Sequence, residues 1–211
     1  MTIPTQSNPT QSNPRQHTST LDRRAVVATI LQHRTDTLVV TGLGSPTYDT
    51  FAAGDHALNF YLWGAMGGAA MVGLGLALAQ PTRRVLVITG DGEMLMGLGS
   101  LATIAVAAPQ NLSIAVINNG HYGETGMQAA HTSRGVNLAA MAAAAGFAHT
   151  ATIHTEAEVQ AWSTQCYQQA GPMFGDIMVS AKPAPMKLPL RDGTAIRYRF
   201  REALLGATAV Q

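Results

Sequence analysis

GDGEMLMGLGSLATIAVAAPQNLSIAVINN, residues Gly90 to Asn119, decides the fold of this 211-residue chain. The apolar run Val85 to Ile88 leads into Gly90-Asp91-Gly92, and a second run, Ile114 to Ile117, leads into Asn118-Asn119-Gly120. The 25 residues from Glu93 to Ile117 are enough for a helix and a return strand. The pattern reads as strand, tight turn, helix and second strand, with a polar cluster closing each strand. In a parallel sheet those two carboxyl ends are neighbours, on the edge where ligands bind. An acid and an amide brought together there can hold a hard cation, and the cation can hold a diphosphate. Taken singly, Asp91 could simply cap a helix and Asn118-Asn119-Gly120 could simply be a turn; their coincidence with two buried strands is what gives the pattern its weight.

Outward from this unit the same alternation continues. Asp22 is placed to cap a helix running to about Gln32, with Val26, Val27, Ile30 and Leu31 on one face. Thr37 to Thr41 reads as a buried strand ending in Gly42-Leu43-Gly44-Ser45-Pro46. A dinucleotide turn is disfavoured there, because the third glycine is missing and Pro46 stands where a helix should begin. Tyr48 to Tyr61 reads as loop or short helix, and Trp63 to Ala79 as a helix rich in glycine. Each glycine costs a helix about 1 kcal/mol relative to alanine, so Gly64, Gly67, Gly68, Gly73 and Gly75 point to close backbone approach. After the second cluster come a loop (120–136), an alanine-rich helix from Asn137 to Ala145 stopped by Gly146, and a strand from His149 to Ile153. Thr155-Glu156-Ala157-Glu158 forms a capping box for a helix to about Ala170. Phe174 to Ala181 gives a last strand, followed by a polar arm. The expected fold is α/β: a doubly wound, mainly parallel sheet with helices on both faces. The expected organisation is a disordered tail over residues 1–20, one binding domain over 21–190 and a C-terminal arm over 191–211.

Composition narrows the function. Hydrophobic residues make up 46% of the chain and charged ones 12%, which leaves little polar surface for a free-standing monomer and points to burial against other chains. The net charge of +1, with no dense basic run, gives nucleic-acid binding no electrostatic footprint. One cysteine, Cys166, excludes a disulfide framework and any cluster of thiolate ligands. The first residues carry a duplicated TQSNP (Thr5–Pro9, Thr10–Pro14) and no apolar core, so they are not a secretory signal. Met66 to Ala79 is too short to span a bilayer. No membrane association is expected, and the expected location is cytoplasmic.

The GDG and NN clusters, about 25 residues apart, resemble the magnesium and thiamine diphosphate motif of thiamine-dependent enzymes. The resemblance implies thiamine diphosphate and Mg²⁺ as cofactors, with Asp91, the Asn119 side chain and the main-chain carbonyl of His121 as metal ligands. It implies cofactor contacts from Gly64, Met66, Gly90, Asp91, Gly92, Glu93, Asn119, His121, Tyr122 and Gly123. Amide hydrogens of Gly92 and the following helix start would face the diphosphate, and Met66 would be the apolar side chain that wedges the two cofactor rings into a V. More narrowly, NFYLWGAMGGAAMVGLGLALA, ITGDGEMLMGLGSLATIA and NNGHYGETGMQ, within Asn59 to Gln128, are similar to the cofactor-binding part of phosphonopyruvate and sulfopyruvate decarboxylases. Those enzymes tend to follow TGxQ with Pro-Thr, where this chain has Ala129-Ala130-His131-Thr132.

That resemblance also implies a missing half. A complete enzyme of this kind needs a pyrimidine-binding domain carrying a catalytic glutamate, and nothing before Leu38 could form one. The expectation is a separate, alpha-type partner subunit in a hetero-oligomer, with the active site at the interface. The expected reaction is decarboxylation of a small 2-oxo acid to CO₂ and an aldehyde. His121 and Glu124 are the candidate catalytic groups of this chain, with Tyr122, Thr125 and Gln128 in the same loop and His56 as an outlying candidate. A thiamine-dependent carboligase or other 2-oxo acid enzyme subunit, such as an oxidoreductase half-subunit, or a non-catalytic cofactor-binding scaffold subunit, are the alternatives.

Overall fold

The computed structural model describes residues 19–207. The duplicated TQSNP and most of the expected N-terminal tail lie outside the described residues. In chain order the elements are α1 (Arg23–Leu31), β1 (Leu38–Thr41), α2 (Ser45–Ala52), β2 (Asn59–Tyr61), α3 (Ala69–Ala79), β3 (Val85–Gly90), α4 (Asp91–Met96), α5 (Ser100–Ala107) and β4 (Leu112–Asn118). A small antiparallel hairpin follows, β5 (His121–Tyr122) and β6 (Gln128–Ala129), then α6 (Leu138–Ala145), β7 (His149–Ile153), α7 (Glu156–Gln168), β8 (Met173–Met178) and α8 (Gly193–Leu205).

Six strands form one sheet in the order β2-β1-β3-β4-β8-β7, and every neighbouring pair is parallel. Parallel strands covered on both faces are mostly apolar along their length, which is why Val85–Ile88 of β3 and Ile114–Ile117 of β4 read as unbroken hydrophobic runs. Alternate residues feed two separate cores. Leu38, Val40, Val85, Val87, Leu112, Ile114 and Val116 pack with α3, α5, α6 and Phe200 of α8. Val39, Leu86, Ile88, Ala115 and Ile117 pack with α1 and α7 on the other face. The chain winds outward from β1 to β2, then reverses to β3 and β4, so the switch in winding direction falls between β1 and β3. In doubly wound sheets the ligand crevice lies at the carboxyl ends beside such a switch.

The local signals operate as expected at several helix ends. Asp22 and Asn137 accept the backbone N–H of Ala25 and Ala140, and Thr155 with Glu158 forms a complete capping box. Gly146 ends α6 in the left-handed conformation. Other expectations are corrected. The helix expected from Trp63 begins only at Ala69, because Ala65 and Gly67 have positive φ (51° and 91°) and hold residues 64–68 as a loop. The single helix expected after Asp91 is two, α4 and α5, broken at Gly97–Gly99. A Cβ at Gly97 would sit 2.1 Å from the Gly67 carbonyl oxygen, so the break is where the 64–68 loop lies directly on the chain. Tyr48 to Tyr61 holds most of a helix, α2, and an edge strand, β2; Pro46 enters α2 in its first turn, where proline lacks no needed donor. The C-terminal segment is helical, and Phe200 meets Phe60 edge-on at 5.5 Å.

Candidate functional site

The pairing of β3 with β4 sets the site. Gly90 lies opposite Ile117, so Asp91 and Asn118-Asn119 follow as neighbours at the two carboxyl ends. The loop after β1, residues 42–44, is next to them, because β1 flanks β3 on its other side. The 62–68 loop leaves the carboxyl end of β2 on the same edge.

The two asparagines divide their work. Asn118 is buried; its amide donates to Asp176 of β8 at 2.8 Å and its oxygen accepts from the Gly120 amide at 3.1 Å. It is a structural tie between strands. Asn119 is half-buried, and its side-chain oxygen accepts the His121 N–H at 2.9 Å, forming a tight turn that leaves a carbonyl lone pair. The His121 ring folds back so that Nδ1 lies 2.8 Å from the Asn119 carbonyl oxygen. Asp91 is 1% exposed, and its Oδ2 accepts a hydrogen bond from the Thr132 hydroxyl.

The strand register brings a carboxylate, Asp91, and an amide carbonyl, Asn119, to neighbouring ends, both hard oxygen donors of the kind Mg²⁺ selects. Among the described residues there is no group of three His, Cys, Asp or Glu side chains that could by itself hold a metal ion. Gly92 has no room for a side chain, since a Cβ there would lie 2.4 Å from the Tyr122 ring, which roofs the turn. The six-residue α4 has a small macrodipole, so any anion at its start is held by individual N–H groups.

Glu93 does not face outward. It is 3% exposed, its Oε2 accepts from the Thr89 hydroxyl at 2.9 Å, and the amides of Leu43, Gly67 and Ala69 face it. A Cβ at Gly42 would overlap this carboxylate. Burial raises its pKa above the ordinary carboxylate value, and the hydrogen bond from Thr89 opposes that shift. Glu93 therefore links the end of β3 to the 42–44 loop through Thr89 and close packing on Gly42.

Met66 is 39% exposed between two positive-φ residues, which holds an apolar side chain out on this edge. Gly64 is exposed beside it. Glu124 stands over the β1–α2 loop and accepts from the Tyr48 hydroxyl at 3.1 Å; a Cβ at Gly44, where φ is +78°, would lie 2.8 Å from the Glu124 side chain. Burial and then Glu124 push the Tyr48 pKa up. Gly123 is exposed, and Thr125 and Gln128 bond to each other across the hairpin tip. His56 belongs to the opposite edge: it precedes β2, at the amino ends of the strands, and its Nδ1 accepts the Leu58 N–H at 3.0 Å. A cleft of about 430 Å³ also opens at that amino edge. Its polar groups are spent on structure, with Asn111 donating to three carbonyls and Arg84 to two. Sequence reasoning passed over Tyr48 and Thr132. The strand-end glycines at 42 and 44 marked the place of the first, and nothing periodic marked the second.

The family described as "Thiamine pyrophosphate enzyme, C-terminal TPP binding domain" matches residues 43–177. Sulfopyruvate decarboxylase subunit beta of Methanothermobacter thermautotrophicus is 34% identical over 188 residues, covering 89% of this chain and 98% of the relative. Phosphonopyruvate decarboxylase of Streptomyces viridochromogenes is 46% identical over 112 residues, 53% of this chain and 28% of that protein. The sulfopyruvate decarboxylase of Methanosarcina acetivorans is 38% identical over 134 residues, and the match spans 34% of its length. The chain thus spans nearly all of the subunit beta relative and about a third of these longer ones. In fold it is similar to benzoylformate decarboxylase from Polynucleobacter necessarius, with a TM-score of 0.65 at 16% identity over 83% of this chain and 36% of that one.

Proposed function

The chain belongs to the thiamine pyrophosphate enzymes, as their C-terminal cofactor-binding domain, and from that premise we propose that it is the diphosphate-binding subunit of a two-chain 2-oxo acid decarboxylase. The observation that carries the proposal is the register of Gly90 against Ile117, which brings Asp91 and Asn119 to adjacent strand ends. Asp91, the Asn119 side chain and the His121 carbonyl would hold Mg²⁺, and the metal with the Gly92 backbone would hold the diphosphate. Met66 would press on the cofactor from the 64–68 loop. When bound, the cofactor supplies an electron sink for cleavage of the bond to the substrate carboxyl group. What this chain adds is position: Glu93 fixes the loops around that edge, and Tyr48 holds Glu124 beside it.

The substrate class proposed is a short 2-oxo acid of the sulfopyruvate or phosphonopyruvate type, released as CO₂ and an aldehyde. The partner proposed is an alpha-type subunit with a pyrimidine-binding domain and the glutamate this chain lacks. Two features support a partner. The subunit beta relative is matched over nearly its whole length. The helices α3, α5 and α6 contain no charged residue, yet Met71, Leu78, Val106 and Met141 stand 37–89% exposed on them. An uncharged helical layer of this kind belongs against another chain. A cytoplasmic complex is part of the same proposal; among the described residues no helix is long and apolar enough to cross a membrane.

The test is calorimetric titration of thiamine diphosphate with Mg²⁺ into the chain, alone and with a pyrimidine-domain partner, followed by a screen of 2-oxo acids for CO₂ release. Metal-dependent binding that tightens with the partner is the expected result. A folded complex that binds no cofactor would leave a scaffold and overturn the enzymatic reading.

A further inference from the structure

Thr132 lies 41 residues from Asp91 in sequence, in the 3-10 turn His131–Arg134 that follows the β5–β6 hairpin. It is 6% exposed, and its hydroxyl donates to Asp91 Oδ2. The chain between the metal cluster and this contact is closed at its base, because the Ala130 amide donates to the Gly120 carbonyl at 2.7 Å. Just beyond, the Ser133 amide and hydroxyl both bond the Ala130 carbonyl, which sets the turn that aims Thr132. The excursion from Gly120 to Thr132 therefore begins beside one proposed metal ligand, Asn119, and ends on another, Asp91. It carries Tyr122, packed on Gly92, and Glu124, bonded to Tyr48.

We propose that Thr132 is a positioning residue for the metal: its hydroxyl sets the orientation of the Asp91 carboxylate and thereby couples cation binding to the placement of the 120–132 hairpin. The inference rests on the reading of Asp91 as a metal ligand. The physical reason is general. A carboxylate that ligates a metal is free to rotate about its last torsion, and a hydrogen bond to one of its oxygens fixes the plane that the cation meets. A buried hydroxyl donor provides this without adding charge to the site. The same bond transmits in the other direction, so a bound cation that holds Asp91 also holds the foot of the hairpin that carries Glu124.

The experiment compares wild type, Thr132→Val and Thr132→Ser in the reconstituted complex of the full chain, titrating Mg²⁺ at saturating thiamine diphosphate by calorimetry. Trypsin cleavage at Arg134 is followed with and without the two ligands. Val keeps the shape and removes the donor; Ser restores the donor. Thr132→Val should raise the Mg²⁺ needed for half-saturation about 10- to 100-fold, while Ser stays within about threefold of wild type. Mg²⁺ with cofactor should slow cleavage at Arg134 in wild type and Ser but not in Val. A purely structural role would lower the melting temperature of Val without moving the Mg²⁺ midpoint, and that result would overturn the proposal. So would a Ser variant as weak as Val. Wild type that binds no Mg²⁺ and cofactor would refute the parent reading as well, whereas wild-type binding with an unaffected Val variant refutes the positioning role alone.

Discussion

Two glycines of α3, two residues apart and so on opposite faces of the helix, should respond differently to the same substitution. Gly73 is buried against the sheet; a Cβ there would lie 2.3 Å from Val87 Cγ2 and 3.4 Å from Leu112 Cδ1. Gly75 faces outward with nothing within 4 Å. Carbon atoms pack at about 3.5–4 Å, so Gly73→Ala must displace a side chain by more than an ångström. Val87 is fully buried in the centre of β3 and, being β-branched, is restricted at χ1, so it yields only at a cost. Such overpacking costs about 1–3 kcal/mol. Against it stands the gain in helix propensity from glycine to alanine, about 1 kcal/mol. That gain is shared by Gly75→Ala, which has no steric term, so the difference between the two variants isolates the overpacking at about 1–3 kcal/mol. For a chain of this size each kcal/mol moves the melting temperature by about 2–4 °C. Gly75→Ala should melt above wild type and Gly73→Ala below Gly75→Ala by roughly 2–12 °C, read by circular dichroism and by urea denaturation at constant m. Adding Val87→Ala should relieve Gly73→Ala, giving a favourable coupling in the double-mutant cycle. Coincident melting of the two alanine variants would show that α3 does not approach the sheet as closely as its glycine requires.

Three further outcomes follow from the site and core. Asp91→Ala should weaken Mg²⁺-dependent cofactor binding by more than about 100-fold with the far-ultraviolet spectrum unchanged, and retained metal-dependent affinity would remove Asp91 from the ligand set. Met66→Ala should lower turnover about tenfold or more while changing cofactor affinity and stability little, since the side chain is 39% exposed; unaltered turnover would remove the wedge role. Cys166 is 1% exposed, and burial pushes its thiol up to about 12. Its folded value is raised, so the stability from keeping it protonated is present below the ordinary thiol value and is lost as pH rises toward 12. Ellman's reagent at pH 8 should therefore label Cys166 only on unfolding, and rapid stoichiometric labelling of the native chain would contradict the buried assignment.

Much of the fold was legible because its causes are local. Val85–Ile88 and Ile114–Ile117 announce buried parallel strands by composition, and Asp22, Asn137 and Thr155 announce helix starts by the donors they satisfy. The Asp91–Asn119 adjacency was legible for a related reason, since a strand–helix–strand unit of that length returns to the neighbouring position. What was not legible depends on distant partners. The break between α4 and α5 exists because Gly97 meets Gly67, thirty residues earlier. The three residues of β2 acquire their identity from Val39–Thr41 on one side and Phe200 on the other. Glu93 reads as an acid at a helix start, where it would face a ligand, and only the packing of Gly42 and Thr89 shows that it turns inward. Pro46 was weighed against a helix start that it in fact accommodates.

The acids at this edge are each bonded to a neighbouring hydroxyl. Asp91 accepts from Thr132, Glu93 from Thr89 and Glu124 from Tyr48. The first is the proposed metal ligand, and a carboxylate committed to Mg²⁺ is a poor proton acceptor. The second is buried, 3% exposed, against the 42–44 loop. The third is exposed on a hairpin and bonded to a phenol whose own proton burial holds tightly. Each of these three carboxylates already has a task in holding the edge together. The uncharged faces of α3, α5 and α6 show that this chain carries surface suited to burial against another. On this reading the subunit specialises in anchoring and shaping, and catalytic competence arises only in the assembled complex.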